Sequence, residues 1–402
     1  MKKNLITLIA SLSLLFSLSI RAEEAQTINL NNSQPNSKLT AANMISLIPS
    51  PPTLSARGYV LMDGDTGKIL AQNNMNERMA PASLTKLMTM FLTFQALENG
   101  QIKLSDKIRI DPQAWKMGGS RMFIKAGTDV TVEQLVQGVI VASGNDACVA
   151  LAQYITGTEQ TFVQLMNETA AKLGMTNTHY MDATGLPDAK QYSSPHDMAI
   201  LTRALINSFP TYYHYFSQKW LTFSSIKQPN RNRLLWRDPT VDGLKTGYTD
   251  AAGYCLVASA KRDNMRLIAV VMGEPSESAR ANNAMGLLNY GFRFYKTYKL
   301  FPANQPITKR RVIQGDDKYA MLGLIQPLFI TIPPAEYKNL KATVNLQGQL
   351  KAPVKMGQPF GEVKITLNDQ VVASAPLVSL QNVEKGGFFS RIMDRLTSWI
   401  KG

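Results

Sequence analysis

Residues Ala80 to Phe91 read APASLTKLMTMF, with a serine and a lysine three apart at the entrance to an apolar run. Residues three apart on a helix share a face, so the amine of Lys86 can reach the hydroxyl of Ser83. A hydroxyl beside an amine is the minimum equipment of a serine nucleophile with a nitrogen base. The pair alone is weak evidence, because about one or two Ser-x-x-Lys patterns arise by chance in 400 residues. Ser224-Ser225-Ile226-Lys227 is a second instance in this chain. Context separates the two. Ser83 follows Pro81-Ala82 at a point where helices favour serine. The run from Ser83 to Leu97 is apolar nearly all round, which predicts a central, buried helix. A lysine inside such a helix costs free energy unless it has a purpose. No such helix follows Ser224.

Two further strings fall at useful distances. Ser143-Gly144-Asn145 lies 60 residues after Ser83, and Lys245-Thr246-Gly247 lies 102 residues after Ser143. A tripeptide such as the latter occurs by chance in roughly one chain in ten of this length. All three in this order within one domain are far rarer than any one alone.

These residues need elements to hold them. GYVLMDGDTGKILAQ from Gly58 gives two short apolar runs around the turn residues 63–67 and predicts a hairpin. Helices are expected over 83–97, 132–154 and 162–173, and neighbouring strands over 253–260 and 265–272. Mixed helices and strands to about residue 300 make an α/β-type domain. Beyond Phe301 the segments KATVNL, GEVKITL and QVVASAPLVSL alternate as strands do, with turn residues between them, so 301–383 reads as a small all-β domain. The tail, 384–402, returns to a helical period. Phe388, Phe389, Ile392, Met393, Leu396, Trp399 and Ile400 share one face and charged residues the other, an amphipathic helix suited to a membrane surface.

At the other end, Met1-Lys2-Lys3, an apolar segment to Ile20 and then Arg21-Ala22 read as a secretory signal over 1–22. The apolar part is about 16 residues, short of the roughly 20 that span a bilayer. Residues 23–52, rich in Asn, Ser, Gln and Pro, read as a linker or arm. The chain of 402 residues, 45% hydrophobic and 18% charged, is globular and long enough for two or more domains. Its formal charge of +14 is spread along the sequence without any recognisable nucleic-acid-binding pattern, so no nucleic-acid partner is expected. Cys148 and Cys255 make no disulfide framework, and His179, His196 and His214 lack metal-ligand spacing. No metal and no cofactor are expected.

The three strings are those of penicillin-binding proteins and serine β-lactamases. With DGDTGKIL, PASLTKLMT, SGNDACVALA, KTGYTDAAGYCLVASA and MRLIAVVMG, and with the order signal, catalytic domain, β domain, amphipathic tail, the chain resembles the low-molecular-mass D-alanyl-D-alanine carboxypeptidases over nearly its whole mature length. The resemblance implies an α/β (α+β) catalytic domain of the serine β-lactamase/transpeptidase type over 53–300, then the all-β domain and the tail. It implies an exported enzyme, peripheral on the periplasmic face of the inner membrane, that removes the last D-alanine from peptidoglycan stem peptides and is inhibited by β-lactam antibiotics. Ser83 would be the nucleophile, Lys86 its base and Ser143 the relay to the leaving amine. Asn145 would hold the substrate amide, and the backbone N–H groups of Ser83 and Tyr248 would form the oxyanion hole. Lys245, Thr246, Gly247 and Arg280 would line the place of the terminal carboxylate. Several relatives carry histidine where this chain has Tyr248, which puts the acylation rate and its pH dependence in question. A class A β-lactamase needs a deacylating glutamate after the Ser-x-Asn string. No glutamate occurs between Glu168 and Glu274, so fast β-lactam hydrolysis is not expected. A D,D-endopeptidase uses the same chemistry, and the sequence leaves both that preference and association into a homodimer open.

Overall fold

The computed structural model describes residues 48–387 and the backbone of 25–28, in two compact units. Of the described residues, one unit holds 48–300 with 329–338, the other 25–28, 301–328 and 339–387. The expected signal over 1–22 and the amphipathic stretch from Phe388 onward lie outside the described residues.

The first unit is built on a five-stranded antiparallel sheet. Its strands are β1 (Gly58–Asp63), β2 (Ile69–Asn73), β3 (Val241–Thr249), β4 (Gly253–Arg262) and β5 (Met265–Glu274), in the order β2-β1-β5-β4-β3. Side chains alternate across a strand. Here both faces are covered: Val60, Met62, Val257, Ile268 and Val270 enter one core, Tyr59, Leu61, Leu256, Leu267 and Ala269 another. This is why Leu267 to Met272, LIAVVM, is apolar without a break although its neighbours are antiparallel. The Asp63 carboxylate closes the predicted hairpin by accepting from Thr66 N–H and Oγ, each at 2.7 Å.

The longer helices of this unit are α1 (Lys86–Glu98), α2 (Val132–Val141), α3 (Asn145–Thr156), α4 (Glu159–Lys172), α5 (Pro195–Ser208) and α6 (Glu277–Phe294). Eleven of the thirteen residues of α1 are buried, so it has no solvent face. Its far end is fixed by Phe94, whose ring meets Phe209, Tyr212 and Phe216 at centroid distances of 6.1, 5.3 and 6.2 Å. Two expected helices begin or end elsewhere. Ser83 sits in a 3-10 turn, Ala82–Thr85, and the α-helix starts at Lys86. The run 132–154 is two helices, because Ser143 takes φ +58°, a left-handed conformation that an α-helix cannot contain. That break lets a serine hydroxyl face away from both helices.

The second unit carries a seven-stranded sheet in the order Ala25–Ile28, Leu340–Leu346, Pro359–Leu367, Gln370–Ser379, Tyr319–Gly323, Pro306–Ile313, Leu350–Lys351. Leu340, Ala342, Val344 and Leu346 are buried at alternate positions, the signature of a half-buried strand. Two corrections to the sequence reading follow. Residues Ala25–Ile28, expected in a linker, pair with 342–345 as an edge strand. Residues 329–338, expected in the all-β domain, group with the first unit. There Thr331 Oγ lies 3.0 Å from both Thr66 Oγ and Thr297 Oγ, and Thr331 O accepts from Lys68 Nζ at 2.9 Å. Short polar contacts between residues more than thirty positions apart leave no trace in local alternation.

Phe94→Ala removes the ring that ties α1 to three aromatic neighbours and should cost about 3–5 kcal/mol. Urea unfolding of the catalytic unit checks this; a loss below about 1 kcal/mol would show that α1 is anchored elsewhere.

Candidate active site

Ser83, Lys86, Ser143, Lys245, Thr246 and Gly247 come from three separate stretches of the first unit and meet in one place. Lys86 Nζ lies 2.9 Å from Ser83 Oγ and 2.5 Å from the carbonyl oxygen of Thr184. The 3-10 turn followed directly by α1 sets this reach, as the three-residue spacing suggested. Across the site, Lys245 Nζ lies 2.9 Å from Ser143 Oγ and 3.0 Å from Thr246 O. Each lysine therefore faces one serine hydroxyl. The decoy pair at 224 and 227 sits on an exposed turn and strand and contributes nothing here.

Both amines are buried: Lys86 is 0% exposed and Lys245 3%. Burial pushes the pKa of Lys86 below the ordinary lysine value, and the positive Arg231 adds to this. Burial also pushes Lys245 down, well below that value, with the charges of Lys86, Arg231 and Arg280 acting in the same direction. Two ammonium groups sharing a dry site repel, so losing one proton relieves the pair. The carboxylates of Asp182 and Asp146 pull the other way on Lys86 without cancelling its desolvation.

Strand β3 runs against the nucleophile turn at backbone distance. A Cβ on Gly247 would meet Pro81 O at 3.0 Å and Ser83 N at 3.3 Å, which is why the third residue of the Lys-Thr-Gly string is glycine. Arg280, on α6 and 5% exposed, donates to Gly247 O at 3.3 Å and to Glu277 at 3.1 Å. Tyr248 is half exposed. Its hydroxyl donates to Asp250 at 2.8 Å, a contact that raises its pKa, and its ring lies 4.3 Å from that of Tyr254. Ser83, Ser143, Thr246, Gly247, Tyr248 and Arg280 line a polar cleft of about 300 Å³. Asn145 does not line it in this state; its side-chain amide donates to Gly118 O at 2.7 Å.

Several residues of the site escaped the sequence reading. Arg231 lines the cleft and donates to Ser120 Oγ at 2.8 Å. No local pattern marks it, because what matters is its place opposite two lysines. Asp146, inside the quoted SGNDACVALA, accepts from the backbone N–H groups of Met122, Phe123, Ile124 and Ala147 at 2.9–3.2 Å and ties the cleft-edge loop to α3. Asp182 Oδ1 accepts from Thr184 N, Thr184 Oγ and Gly185 N at 2.6, 2.9 and 2.6 Å, fixing the carbonyl that meets Lys86. Glu159, a candidate for a deacylating base, instead accepts from Ala183 N at 3.1 Å behind that loop. Both cysteines are free and buried, and burial pushes the Cys148 thiol up to about 12. Among the described residues no cluster of His, Cys, Asp or Glu is placed to hold a metal ion.

Such a site, two serine hydroxyls each faced by a buried lysine amine across one polar cleft, has the equipment of a serine acyl-transfer hydrolase. Residues 45–276 match the family model for D-alanyl-D-alanine carboxypeptidases, and residues 295–385 match that for the C-terminal domain of penicillin-binding protein 5. The chain is 44% identical to D-alanyl-D-alanine carboxypeptidase DacC of Escherichia coli (strain K12) over 351 residues, 85% of this chain and 88% of the relative. Penicillin-binding protein 5 from Haemophilus influenzae superposes with a TM-score of 0.78 at 43% identity, covering 84% of this chain and all of that structure. Penicillin-binding protein D2 from Listeria monocytogenes, in its ampicillin-bound form, superposes with a TM-score of 0.56 at 29% identity, over 61% of this chain and all of that structure. The chain belongs to the D-alanyl-D-alanine carboxypeptidase family.

Gly185 has φ +89°, and a Cβ there would lie 1.8 Å from Ala82 O, in the turn that carries Ser83. Gly185→Ala should therefore lower the penicillin acylation rate at least about tenfold and destabilise the fold by more than about 1 kcal/mol. Stopped-flow acylation and thermal melting read the two effects; parent-like acylation would show that the turn tolerates displacement.

Proposed function

We propose that this chain is a serine-type D-alanyl-D-alanine carboxypeptidase that removes the terminal D-alanine of peptidoglycan pentapeptides through an acyl-enzyme on Ser83. The observation that carries the reading is the buried Lys86 amine 2.9 Å from Ser83 Oγ, opposite a second lysine–serine pair. Neutral Lys86 takes the Ser83 proton as Oγ attacks the carbonyl carbon between the two D-alanines. Charge developing on the carbonyl oxygen is met by the N–H groups of Ser83 and Tyr248. The proton passes by way of Ser143 to the departing amine as the C–N bond breaks, and D-alanine leaves. Water then cleaves the ester and restores Ser83. Lys245, Thr246 and Arg280 hold the free terminal carboxylate, with Arg231 adding positive charge to that wall of the cleft. Asn145 turns from Gly118 O to the substrate amide.

β-Lactams present a strained amide and a carboxylate in the same relation, and the solved ampicillin- and cefotaxime-bound relatives support acylation of this site. Tyr248 keeps the backbone donor while changing the side chain at the rim. We infer further that residues 1–22 are a cleaved export signal and that 384–402 form an interfacial helix holding the enzyme on the periplasmic face of the membrane. The basic-apolar-small order of the first segment and the one-sided apolar pattern of the last support this. No described helix is long and apolar enough to cross a membrane.

Incubation with penicillin followed by mass spectrometry should give a single adduct on the parent and none on Ser83→Ala. D-alanine release from a D-Ala-D-Ala peptide should fall at least about 10³-fold in that variant. Unchanged release would refute the assignment. The acylation rate should rise with pH as Lys86 loses its proton, because only the neutral amine accepts the serine proton, and this limb should lie below the ordinary lysine value of 10.5. Loss of the Lys245 charge should raise KM, and because burial beside Lys86, Arg231 and Arg280 holds its pKa well below 10.5, this loss too should fall below the ordinary lysine value. Lys86→Arg stays protonated, so its rate should drop about 10²–10⁴-fold and lose the rising limb.

A further inference from the structure

Two of the chain's four tryptophans lie exposed in a segment that the catalytic reading does not use. Trp220 opens a hairpin of Trp220–Phe223 and Ile226–Pro229, and Trp236 lies in the short helix Leu234–Arg237. Their rings meet edge to face, with centroids 6.0 Å apart and planes at 84°. They are 46% and 42% exposed, and Ile226 beside them is 40% exposed. Tryptophans bury large apolar surfaces when partners are available; here each indole keeps close to half of its surface open to solvent. Lys227 Nζ stands 4.7 Å from the Trp220 ring centre. Between Lys219 and Arg237 there are five cationic residues and no acidic one.

The patch is continuous with the cleft. Arg231, between hairpin and helix, lines the cleft and donates to Ser120 Oγ, and Gln228 of the hairpin donates to Arg121 O at 3.2 Å. Trp236 is five residues from Arg231, so the two backbones are at most about 18 Å apart; a stretched pentapeptide spans the same length. A stem peptide with its last bond at Ser83 is tethered at its other end to a glycan strand. That strand has to cross a surface within one pentapeptide of the nucleophile.

We propose that Trp220 and Trp236 form a docking platform for the glycan strand of polymeric peptidoglycan. The flat C–H faces of its sugar rings stack on the indoles, and the carboxylates of its stem peptides meet the surrounding lysines and arginines. The inference rests on the carboxypeptidase reading and deepens it: the cleft selects the peptide end, the tryptophans select the polymer. Exposed tryptophan with flanking cations is the composition of interface hot spots, and the surplus of cationic over acidic residues in this segment, even with Arg233 paired to Glu277 at 2.8 Å, matches an anionic partner.

The test compares full-length parent with Trp220→Ala, Trp236→Ala and the double variant. D-alanine release is measured from a soluble D-Ala-D-Ala peptide and from purified sacculi, and retention is measured by co-sedimentation with sacculi and with sacculi stripped of their stem peptides. The expected result is unchanged release from the soluble peptide with about tenfold or greater loss of activity and retention on sacculi in the double variant. Retention of the parent, but not the double variant, on the stripped glycan should persist. Equal retention of parent and double variant overturns the proposal. So does loss in the variants of binding to anionic lipid vesicles, or of self-association, with sacculus binding intact. Failure of the parent to release D-alanine from the soluble peptide would refute the carboxypeptidase reading instead, and retention on stripped sacculi would still decide the platform.

Discussion

A primary amine with no exposure to water, 2.9 Å from a serine hydroxyl, is the constraint around which the catalytic unit is organised. Burying an ammonium group is so costly that it gives up its proton or is supplied with partners. Here the supply is meagre. One backbone carbonyl and one hydroxyl stand next to Lys86, while burial and the charge of Arg231 raise the cost of its own charge. Burial thus shifts Lys86 toward its neutral form, the form that the proposed mechanism requires.

Holding that state requires rigidity from several directions. The α1 helix, buried all round and locked at its far end by aromatic packing, cannot rotate to release Lys86 into water. The carbonyl of Thr184 is fixed by the Asp182 carboxylate, which gathers three hydrogen bonds from the same turn. Gly185 and Gly247 let two backbones approach the nucleophile turn closer than any side chain allows. Ser143 reaches the opposite wall only because the chain takes a left-handed step between two helices. Strain in such a step is tolerated where the surroundings over-determine it, and here Asp146 fastens the adjoining loop through three backbone amides.

The residues that meet were visible in the sequence as three short strings, because spacing on one helix and identity within a strand are local properties. The sheet core was visible for the same reason, as unbroken apolar runs. What the sequence hid depends on contacts distant in the chain. Arg231 and Asp182 carry no motif, and the break at Ser143 falls inside a run whose periodicity is helical on both sides. Residues 329–338 carry no local mark of their unit; contacts of Thr331 with Thr66, Thr297 and Lys68, and of Tyr337 with Tyr298, tie them to the catalytic unit. Ala25–Ile28 pairs through backbone groups that any sequence possesses.

The most direct measurement is a titration of the Lys86 amine itself, by carbon NMR of protein labelled at the lysine ε-methylene and assigned by comparison with a variant lacking that lysine. A midpoint below the ordinary value of 10.5, moving further down when positive charge is added to the cleft, is what a desolvated base in this pocket gives. A Lys86 that holds its proton as an exposed lysine does would contradict the neutral base and, with it, the proposed route to the acyl-enzyme.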